Sequence, residues 1–353
     1  MLNEEYSLGD IIKDNPFQPK VAVENITLIS ELKPTEDAEV EGKVVSKKLQ
    51  KTKNDKTFLL FTIADKSQSI RAIDWYNAEA NNNKIQIGDV IKVKGKIVYF
   101  ENRLQINISN ETNSVQKINI TNINPEKYLL FSNNDLSKLT TKLEQYIQAV
   151  ENEGIRSLLK QIFLVNSKLR ESFLFSPAAV EVHHAYPGGL LEHTVMVTEL
   201  SLRLYDLYNE DNEICINKDI IIAGSLLHDI GKIEEYVIKP SGIEKTELGE
   251  LIGHIHLGTK IVYEESKKIN PKIKESDLNH IIHIILSHHG EIEYGSPVVP
   301  KTIESFIIGL SDNVDSKIAQ VKDNIRNTLQ INKDQSWSEY DKRLARKIKI
   351  EKY

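Results

Sequence analysis

The spacing of apolar residues changes near Ile123, and this change limits the possible folds more than any other feature of the chain. Between about Glu36 and Ser109, apolar and polar residues alternate in five short runs, as they do along half-buried strands. From about Pro125 onward, apolar residues recur every three or four positions, as they do on helices. A chain of 353 residues is long enough to bury two cores. We therefore expect a multidomain protein, with an all-β domain followed by an all-α domain.

The five strand-like runs have the size of a small barrel. They read AEVEGKVVS, TFLLFTIAD, SIRAIDW, DVIKVKGKIVYF and RLQINIS. Asn54-Asp55 and Glu101-Asn102 mark hairpins between them, because these residue types favour tight turns. Five short strands in about 75 residues are typical of an OB-fold barrel, which binds oligonucleotides on one face and on two of its loops.

Lysines are concentrated in the segment that joins the first two runs. Six lie between Lys43 and Lys56 beside the single acid Asp55, although the chain has a formal net charge of −6. We predict that this segment is a loop that holds single-stranded nucleic acid; a solvated hairpin tip is the alternative. The candidate nucleic-acid-binding residues are Lys47, Lys48, Lys51 and Lys53, with Phe58, Trp75 and Tyr76 as rings on which bases can stack.

The aromatic residues of this region cannot all face solvent. Phe58 and Phe61 are three positions apart on one predicted strand, so their side chains point to opposite faces of the sheet. We expect one of the two in the core and the other on the surface.

Domain boundaries follow from the same patterns. The predicted units are an N-terminal extension (1–30), the OB-fold domain (31–121), a linker with a leading helix (122–160), the helical domain (161–325) and a C-terminal tail (326–353). The tail is polar and charged apart from Trp337 and a few aliphatic residues, and nothing in it suggests chemistry.

All ten histidines lie between His183 and His289, inside the predicted helical domain. Imidazole binds metals and transfers protons near neutral pH, so we expect the chemistry of the protein in this stretch. The informative strings are HHAYPGGLLEHT, LLHDIGK and SHHG. His193 lies in the first turn of one predicted helix, whereas the pair His228-Asp229 ends another.

A further helix places Asp312 one turn from Asp315 in an otherwise apolar segment. Burying a carboxylate there is costly unless a cation or hydrogen-bond donors compensate it. Asp312 is therefore a candidate metal ligand. We expect Asp315 on the surface or behind the ligands.

This set of residues resembles the HD-domain superfamily of metal-dependent phosphohydrolases, whose signature is a His, an adjacent His-Asp pair and a distant Asp. The resemblance extends over roughly residues 163–321 and implies metal-assisted hydrolysis of a phosphoester. It also implies two divalent ions, because two more histidines match members in which the Asp of the pair bridges the ions. The implied metal ligands are His193, His228, Asp229, His254, His288 and Asp312.

Ligands that are all imidazole or carboxylate, without thiolate, suit manganese, iron or magnesium better than structural zinc. The resemblance implies Mn²⁺, with Fe, Co²⁺ or Mg²⁺ as alternatives. Asp229 and Lys232 are the candidate catalytic residues. The Lys232 ammonium either pairs with the scissile phosphate or only favours the dipole at a helix C-terminus. The residues expected to orient the ligands or to contact substrate are His183, His184, Tyr186, His256 and His289.

The order of the two domains is similar to that of the YhaM family of bacterial 3'-to-5' exoribonucleases, over most of the chain. The resemblance implies that the helical domain cleaves single-stranded RNA while the OB-fold holds the strand, with manganese supporting activity. Single-stranded DNA is a second candidate substrate. The direction of degradation comes from this resemblance alone.

Two other function classes remain open. One is an HD phosphodiesterase for a small or cyclic nucleotide, because HHGEIEYGSP partly resembles the HHExxDGxGYP string of the HD-GYP enzymes. Gly290 and Ser296 depart from that string. The other is a non-catalytic single-strand-binding protein with a decayed HD domain, but decay would remove the reason to keep the buried polar residues.

Composition excludes several further classes. No apolar run approaches the roughly 20 residues that cross a bilayer, and the start MLNEEYSLGD is acidic and polar. We therefore expect a cytoplasmic protein that does not bind membranes. The single cysteine, Cys215, excludes an intrachain disulfide and a cysteine-based metal site. The sequence leaves the oligomeric state open.

Overall fold

The computed structural model describes residues 27–101, 103–130, 135–180, 184–210, 213–331 and 333–351. Most of the expected N-terminal extension, the turn residue Asn102 and His183 lie outside the described residues. The chain divides into two compact units after Leu130, except that Lys239–Gly242 is grouped with the first unit. No helix in the described ranges is long and apolar enough to cross a membrane.

The first unit is a closed six-stranded sheet. Its elements are β1 (Thr35–Lys51), β2 (Thr57–Ala64), β3 (Ser69–Asp74), α1 (Ala78–Lys84), β4 (Val90–Phe100), β5 (Arg103–Ile108) and β6 (Val115–Lys117). The strand order is β1-β2-β3-β5-β4-β6, and an additional pairing of β1 with β4 closes the barrel. The five predicted strands correspond to β1–β5, which confirms the barrel class; the short strand β6 was not predicted.

Side-chain parity on β2 separates its two aromatic residues as expected. Phe61 is fully buried in the barrel core with Leu59 and Ile63. Phe58 has the opposite parity and is partly exposed. The prediction that only one of the two belongs to the core is confirmed.

The lysine-rich segment is mostly strand, so the predicted loop is wrong over most of its length. β1 pairs with β4 through its first half and with β2 as far as Lys51. A bulge between Val44 and Ser46 redirects the strand between these two partners, because an extra residue increases local bend and twist. Only the short turn between Lys51 and Thr57 connects β1 to β2.

The second unit is helical. Its helices are α2 (Leu136–Ala149), α3 (Glu153–Lys160), a π-helical stretch (Gln161–Val165), α4 (Ser167–Phe175), α5 (Gly189–Tyr208), α6 (Lys218–Leu227), α7 (Lys232–Glu235), α8 (Glu247–Ile252), α9 (His254–Ser266), α10 (Glu275–Ser287) and α11 (Ile303–Ile331). Leu191, Ile221 and Ile284 belong to one continuous core from α5, α6 and α10. This core holds the ends of several helices at one place.

A short hairpin interrupts the helices. β7 (Tyr236–Lys239) and β8 (Gly242–Lys245) form a two-stranded sheet. The sequence Pro240-Ser241-Gly242 makes the turn, and Gly242 has a φ of 125°, which favours glycine. This hairpin was not predicted from the sequence, because the rest of the domain has helical periodicity and the alternating run is short. The predicted helical class is confirmed, with the hairpin as an addition.

Candidate metal centre

Five segments of the helical unit bring their polar residues to one place. His193 lies in the first turns of α5, and His254 is the first residue of α9. His228 and His288 directly follow α6 and α10, and Asp312 lies within α11. A Cβ on Gly189 would lie 2.0 Å from the carbonyl oxygen of His184. Only glycine therefore allows the preceding loop to approach α5 this closely.

The first group of ligand atoms surrounds Nε2 of His193. This nitrogen is 3.2 Å from Nε2 of His228, 3.3 Å from Oδ2 of Asp229 and 3.2 Å from Oδ1 of Asp312. His193, His228 and Asp229 are almost fully buried. The four residues of the HD signature therefore converge on one point.

The second group lies on the other side of Asp229. Nε2 of His254 and Nε2 of His288 are each 3.5 Å from Oδ1 of Asp229. The ligand atoms of His254, His288 and His289 all lie within 4.8 Å of one another. Each carboxylate oxygen of Asp229 thus faces its own group, which is the position of a bridging ligand. The sequence predicts that His289 orients a ligand or contacts substrate, but its ring lies among the candidate ligand atoms of His254 and His288.

Each histidine of the two groups is held from outside through Nδ1. Carbonyl and carboxylate oxygens only accept hydrogen bonds, so Nδ1 must carry the proton and Nε2 presents its lone pair to the centre. The hydrogen-bond partners are Asp315 for His193 (2.8 Å), Ser225 O for His228 (2.8 Å), Ile285 O for His288 (2.8 Å) and Tyr294 O for His289 (3.0 Å). Nδ1 of His254 lies 2.8 Å from Oε2 of Glu235 as an ion-pair contact.

Three buried polar atoms without a hydrogen-bond partner indicate that the centre fits a divalent cation. Oδ1 of Asp229, Nε2 of His254 and Nε2 of His288 are buried without a hydrogen-bond partner. Such atoms are destabilising unless something satisfies them. All three face one another, and a cation would satisfy them together. Imidazole and carboxylate donors without thiolate suit first-row divalent metals.

Three groups of the centre, Asp229, His288 and His289, have protonation states that suit metal binding. In His193, by contrast, burial lowers the pKa, but the carboxylates of Asp229, Asp312 and Asp315 outweigh it and raise that pKa well above its usual value. Burial raises the pKa of Asp229, but the Lys232 ammonium and His228 outweigh it and hold that pKa well below its usual range. Burial lowers the pKa of His288. Burial and the neighbouring His288 lower the pKa of His289 to about 4. The carboxylate is therefore ionised and both imidazoles are neutral near pH 7, as ligands must be.

Lys232 belongs to the centre and not to a helix C-terminus. It begins α7, so the expected interaction with a C-terminal dipole does not apply. Its Nζ lies 2.5 Å from Oδ2 of Asp229, and its side chain is 12% exposed. The ammonium thus lies beside the Asp229 carboxylate, and its side chain keeps slight exposure to solvent.

Three other predicted site residues, His184, Tyr186 and His256, lie outside the two groups of ligand atoms. His184 is buried behind His193, with Nε2 3.0 Å from Asp315 and Nδ1 2.9 Å from the Tyr186 hydroxyl. His256 is exposed, because two positions along α9 from His254 rotate it to the other side of the helix. Its expected role of orienting a ligand is therefore wrong.

Sequence reasoning missed Glu235 and left Asp315 open between the surface and a position behind the ligands. Asp315 is buried against His193 and His184, so the surface position that we allowed for it is wrong. Glu235 is almost completely buried and lies against His254. Only the spacing of Asp315, one turn after Asp312 in an apolar segment, offered a signal; Glu235 sits in a charged string that looks like surface.

The barrel carries an aromatic pair on its outer face. The ring centroids of Phe58 and Trp75 are 4.6 Å apart, and Lys56 Nζ lies 5.6 Å from the Trp75 ring. Tyr76 is exposed. Bases stack on accessible aromatic rings. Phe58, Trp75 and Tyr76 are therefore three candidate contacts for bases.

The candidate lysines of the barrel divide by environment. Lys47 donates to the carbonyl oxygens of Asn82 (2.7 Å) and Ile85 (2.6 Å) at the end of α1. Its ammonium therefore caps a helix, which corrects its prediction as a phosphate contact. Lys51 pairs with the exposed Asp55 at 2.8 Å. Lys48 and Lys53 are exposed.

Comparison with known proteins agrees with both units. The model of the HD domain matches residues 190–317, and the model of the OB-fold nucleic acid binding domain matches residues 38–113. The protein named 3'-5' exoribonuclease YhaM from Bacillus subtilis (strain 168) is 30% identical over 266 residues, which are 75% of this chain and 80% of that protein. The chain belongs to the YhaM family.

Other YhaM relatives match over a similar range. The YhaM protein of Oceanobacillus iheyensis is 30% identical over 270 residues, 76% of this chain and 80% of its own. That of Shouchella clausii is 29% identical over 269 residues, 75% and 79% of the two chains. Among solved structures, the second OB-fold domain of replication protein A from Methanococcus maripaludis is 26% identical, with a TM-score of 0.21, and covers 26% of this YhaM-family chain and 93% of that domain.

Proposed function

We propose that this YhaM-family protein is a metal-dependent 3'-to-5' exoribonuclease that hydrolyses single-stranded RNA at two divalent ions, with single-stranded DNA as a second substrate. The observation that carries the proposal is the position of Asp229, whose two carboxylate oxygens each face a separate histidine group. The names of the relatives support RNA as substrate and the direction of degradation.

The chain offers four side chains to each ion. His193, His228, Asp229 and Asp312 would hold one. Asp229, His254, His288 and His289 would hold the other. When bound, divalent ions activate water and stabilise charge on the oxygens of a phosphodiester. We propose Mn²⁺ as the physiological ion.

The residues around the ligands prepare the centre for this chemistry. Asp315 and Glu235 hold two imidazoles through Nδ1, so their Nε2 atoms stay directed inward without reorganisation. Lys232 is positioned beside Asp229 with partial access to solvent. Its ammonium can move from that carboxylate to a non-bridging phosphate oxygen of the substrate, where it offsets developing negative charge.

The barrel supplies a surface for the rest of the strand. Phe58, Trp75 and Tyr76 offer rings to the bases, while Lys48 and Lys53 are exposed for phosphates. An enzyme for a small cyclic nucleotide would leave this surface unused. A non-catalytic binding protein would leave unexplained the buried, unpaired ligand atoms of Asp229, His254 and His288.

Single-stranded RNA labelled at its 5' end tests the proposal directly. With the purified protein and Mn²⁺, we expect a ladder of products that shorten from the 3' end. An RNA of the same sequence with a 3'-phosphate should be degraded more slowly, and the matching DNA measures the second substrate. Intact RNA with every divalent ion tried, together with cleavage of a cyclic dinucleotide, would establish the small-nucleotide alternative instead.

A further inference from the structure

The C-terminal segment is a folded element and not a polar tail. Residues 333–351 form an irregular hairpin in which Trp337 bridges to Lys349 and Asp341 to Arg346. Ser338 N donates to the Ile348 carbonyl at 2.8 Å. Leu344 and Ile350 are buried beneath the hairpin, so its large aliphatic residues are used for folding, whereas most of its charged side chains are exposed.

Side chains of α11 anchor this hairpin in the helical unit. Gln320 donates to Asp341 at 3.2 Å, and Thr328 Oγ1 accepts from the Glu339 N–H at 3.2 Å. The same helix carries Asp315 of the metal centre. At 1.5 Å per residue, the two anchor points lie roughly 8 and 20 Å along the helix from Asp315. The hairpin therefore has a defined position relative to the centre.

The second half of the hairpin is strongly basic. Residues 342–350 contain five cations and no acid, on a chain of formal net charge −6. The five are all exposed; they are Lys342, Arg343, Arg346, Lys347 and Lys349. Within the described part of the chain, no carboxylate forms an ion pair with Lys342, Lys347 or Lys349. These three ammonium groups are available for an anionic partner.

Two aromatic rings are exposed beside these cations. Trp337 is 51% and Tyr340 56% exposed. Lys349 Nζ lies 5.5 Å from the centre of the Trp337 ring. Open aromatic faces interleaved with cations match a single-stranded nucleic acid, which offers flat bases and repeated phosphates together. Leu344 and Ile350 are buried, so little aliphatic surface accompanies the rings and cations, which favours RNA over insertion into a membrane surface.

We propose that the C-terminal hairpin is a second binding site for single-stranded RNA, separate from the barrel. Trp337 and Tyr340 stack on bases, and Lys342, Lys347 and Lys349 contact phosphates of the strand whose end lies in the metal centre. This assignment of the ligand as RNA rests on the proposed exoribonuclease function. With this site, the helical unit binds the RNA strand independently of the barrel.

Tryptophan fluorescence of the full-length protein reports this site directly. The chain has two tryptophans, so the Trp75→Phe variant leaves Trp337 as the reporter. We expect an oligouridylate, titrated with EDTA present to prevent cleavage, to quench this fluorescence to saturation. Changing Lys342, Lys347 and Lys349 to Gln in the same background should weaken binding and reduce the log–log salt slope by about 2, which is about 0.7 for each phosphate contact.

A matched triple variant controls for net charge. Lys138, Lys160 and Lys168 are exposed in the same unit, and changing them to Gln should leave the titration unchanged. Absence of quenching by RNA overturns the proposal, as does equal quenching by polyglutamate or by anionic vesicles. Because the titration needs no hydrolysis, it remains informative if the protein does not cleave RNA. If the protein does cleave RNA, kcat/KM for long RNA relative to kcat/KM for a trinucleotide should fall. This fall should occur in the variant with Gln at Lys342, Lys347 and Lys349 and not in the control variant.

Discussion

Oδ2 of Asp315 lies 2.8 Å from Nδ1 of His193 and 3.0 Å from Nε2 of His184. Burial raises the pKa of Asp315, but these two imidazoles outweigh it and hold the pKa below its usual range. The ionised carboxylate can only accept, so it keeps the Nδ1 proton on His193 and directs the opposite lone pair into the centre. Asp315 is thus a positioning residue for the candidate metal ligand His193.

Asp315→Asn should weaken metal binding by about 10- to 100-fold, the range for loss of a carboxylate behind a histidine ligand. Titration calorimetry with Mn²⁺ measures this without reference to activity. The exposed end of the same helix offers a control, because Asp323→Asn removes a charge far from the ligands. Unchanged Mn²⁺ affinity in Asp315→Asn would show that this carboxylate only packs.

Asp229→Asn should abolish hydrolysis and lower the bound metal content. The amide oxygen can face only one histidine group, and the lost charge leaves the cations uncompensated. Metal analysis after dialysis against Mn²⁺, combined with the labelled-RNA assay, gives both readouts. Asp206→Asn, an exposed acid on α5, is the control. Full activity of Asp229→Asn would move the reaction to another part of the protein.

Trp75→Ala should weaken binding of single-stranded RNA by about 1–3 kcal/mol, or about 5- to 150-fold, because one base loses its stacking partner. Fluorescence anisotropy with labelled RNA in EDTA measures the affinity. Trp75→Phe keeps a ring against Phe58 and should retain most of it. Phe306→Ala removes an exposed ring from the helical unit and should bind normally. Equal affinities for Trp75→Ala and Trp75→Phe would exclude stacking at this position.

Lys47→Met should reduce stability more than RNA binding. Its ammonium is hydrogen-bonded to the carbonyl oxygens of Asn82 and Ile85, so we expect a loss of about 1 kcal/mol in the free energy of unfolding of the barrel. Urea denaturation measures this loss. The exposed Lys48 provides the contrast: Lys48→Met should leave stability unchanged and lower the salt slope of RNA binding by about 0.7. A lower salt slope for Lys47→Met would restore it as a phosphate contact.

Glu304→Gln should destabilise the helical unit in a pH-dependent way. Burial raises the pKa of Glu304, but hydrogen bonds from His280 and from the Asn217 N–H outweigh it and hold the pKa below 4.5. A lowered carboxyl pKa contributes stability above pH 4.5 that is lost as the pH falls through the folded-state value. The difference in urea midpoint between wild type and variant should therefore be largest near pH 7 and shrink below pH 4. A constant difference would rule out a charge effect.

Much of the site could be predicted because its residues carry distinctive types at distinctive spacing. His193, His228, Asp229 and Asp312 stand in short strings whose helical context is visible locally. Glu235 had no such signal, since a glutamate in a charged string is usually on the surface. Its burial depends on the packing of α7 against α9, which local periodicity does not contain.

Lys47 and His256 show the converse error, because the sequence predicts a functional role for each and the structure places each side chain elsewhere. A lysine in a basic run and a histidine two positions from a ligand both look functional until their directions are known. A strand bulge and the turn of α9 set those directions, with Lys47 beside the end of α1 and His256 in solvent.

The sequence by itself determined the β-then-α order, the barrel, the four residues of the HD signature and the absence of cysteine ligands, because periodicity and residue type are local properties. Only the tertiary structure decided that Asp315 and Glu235 lie against the imidazoles, that His289 lies beside His254 and His288, and that residues 333–351 fold as a hairpin. These depend on which distant side chains become neighbours once the core is packed, and burial then gives each polar atom its partner.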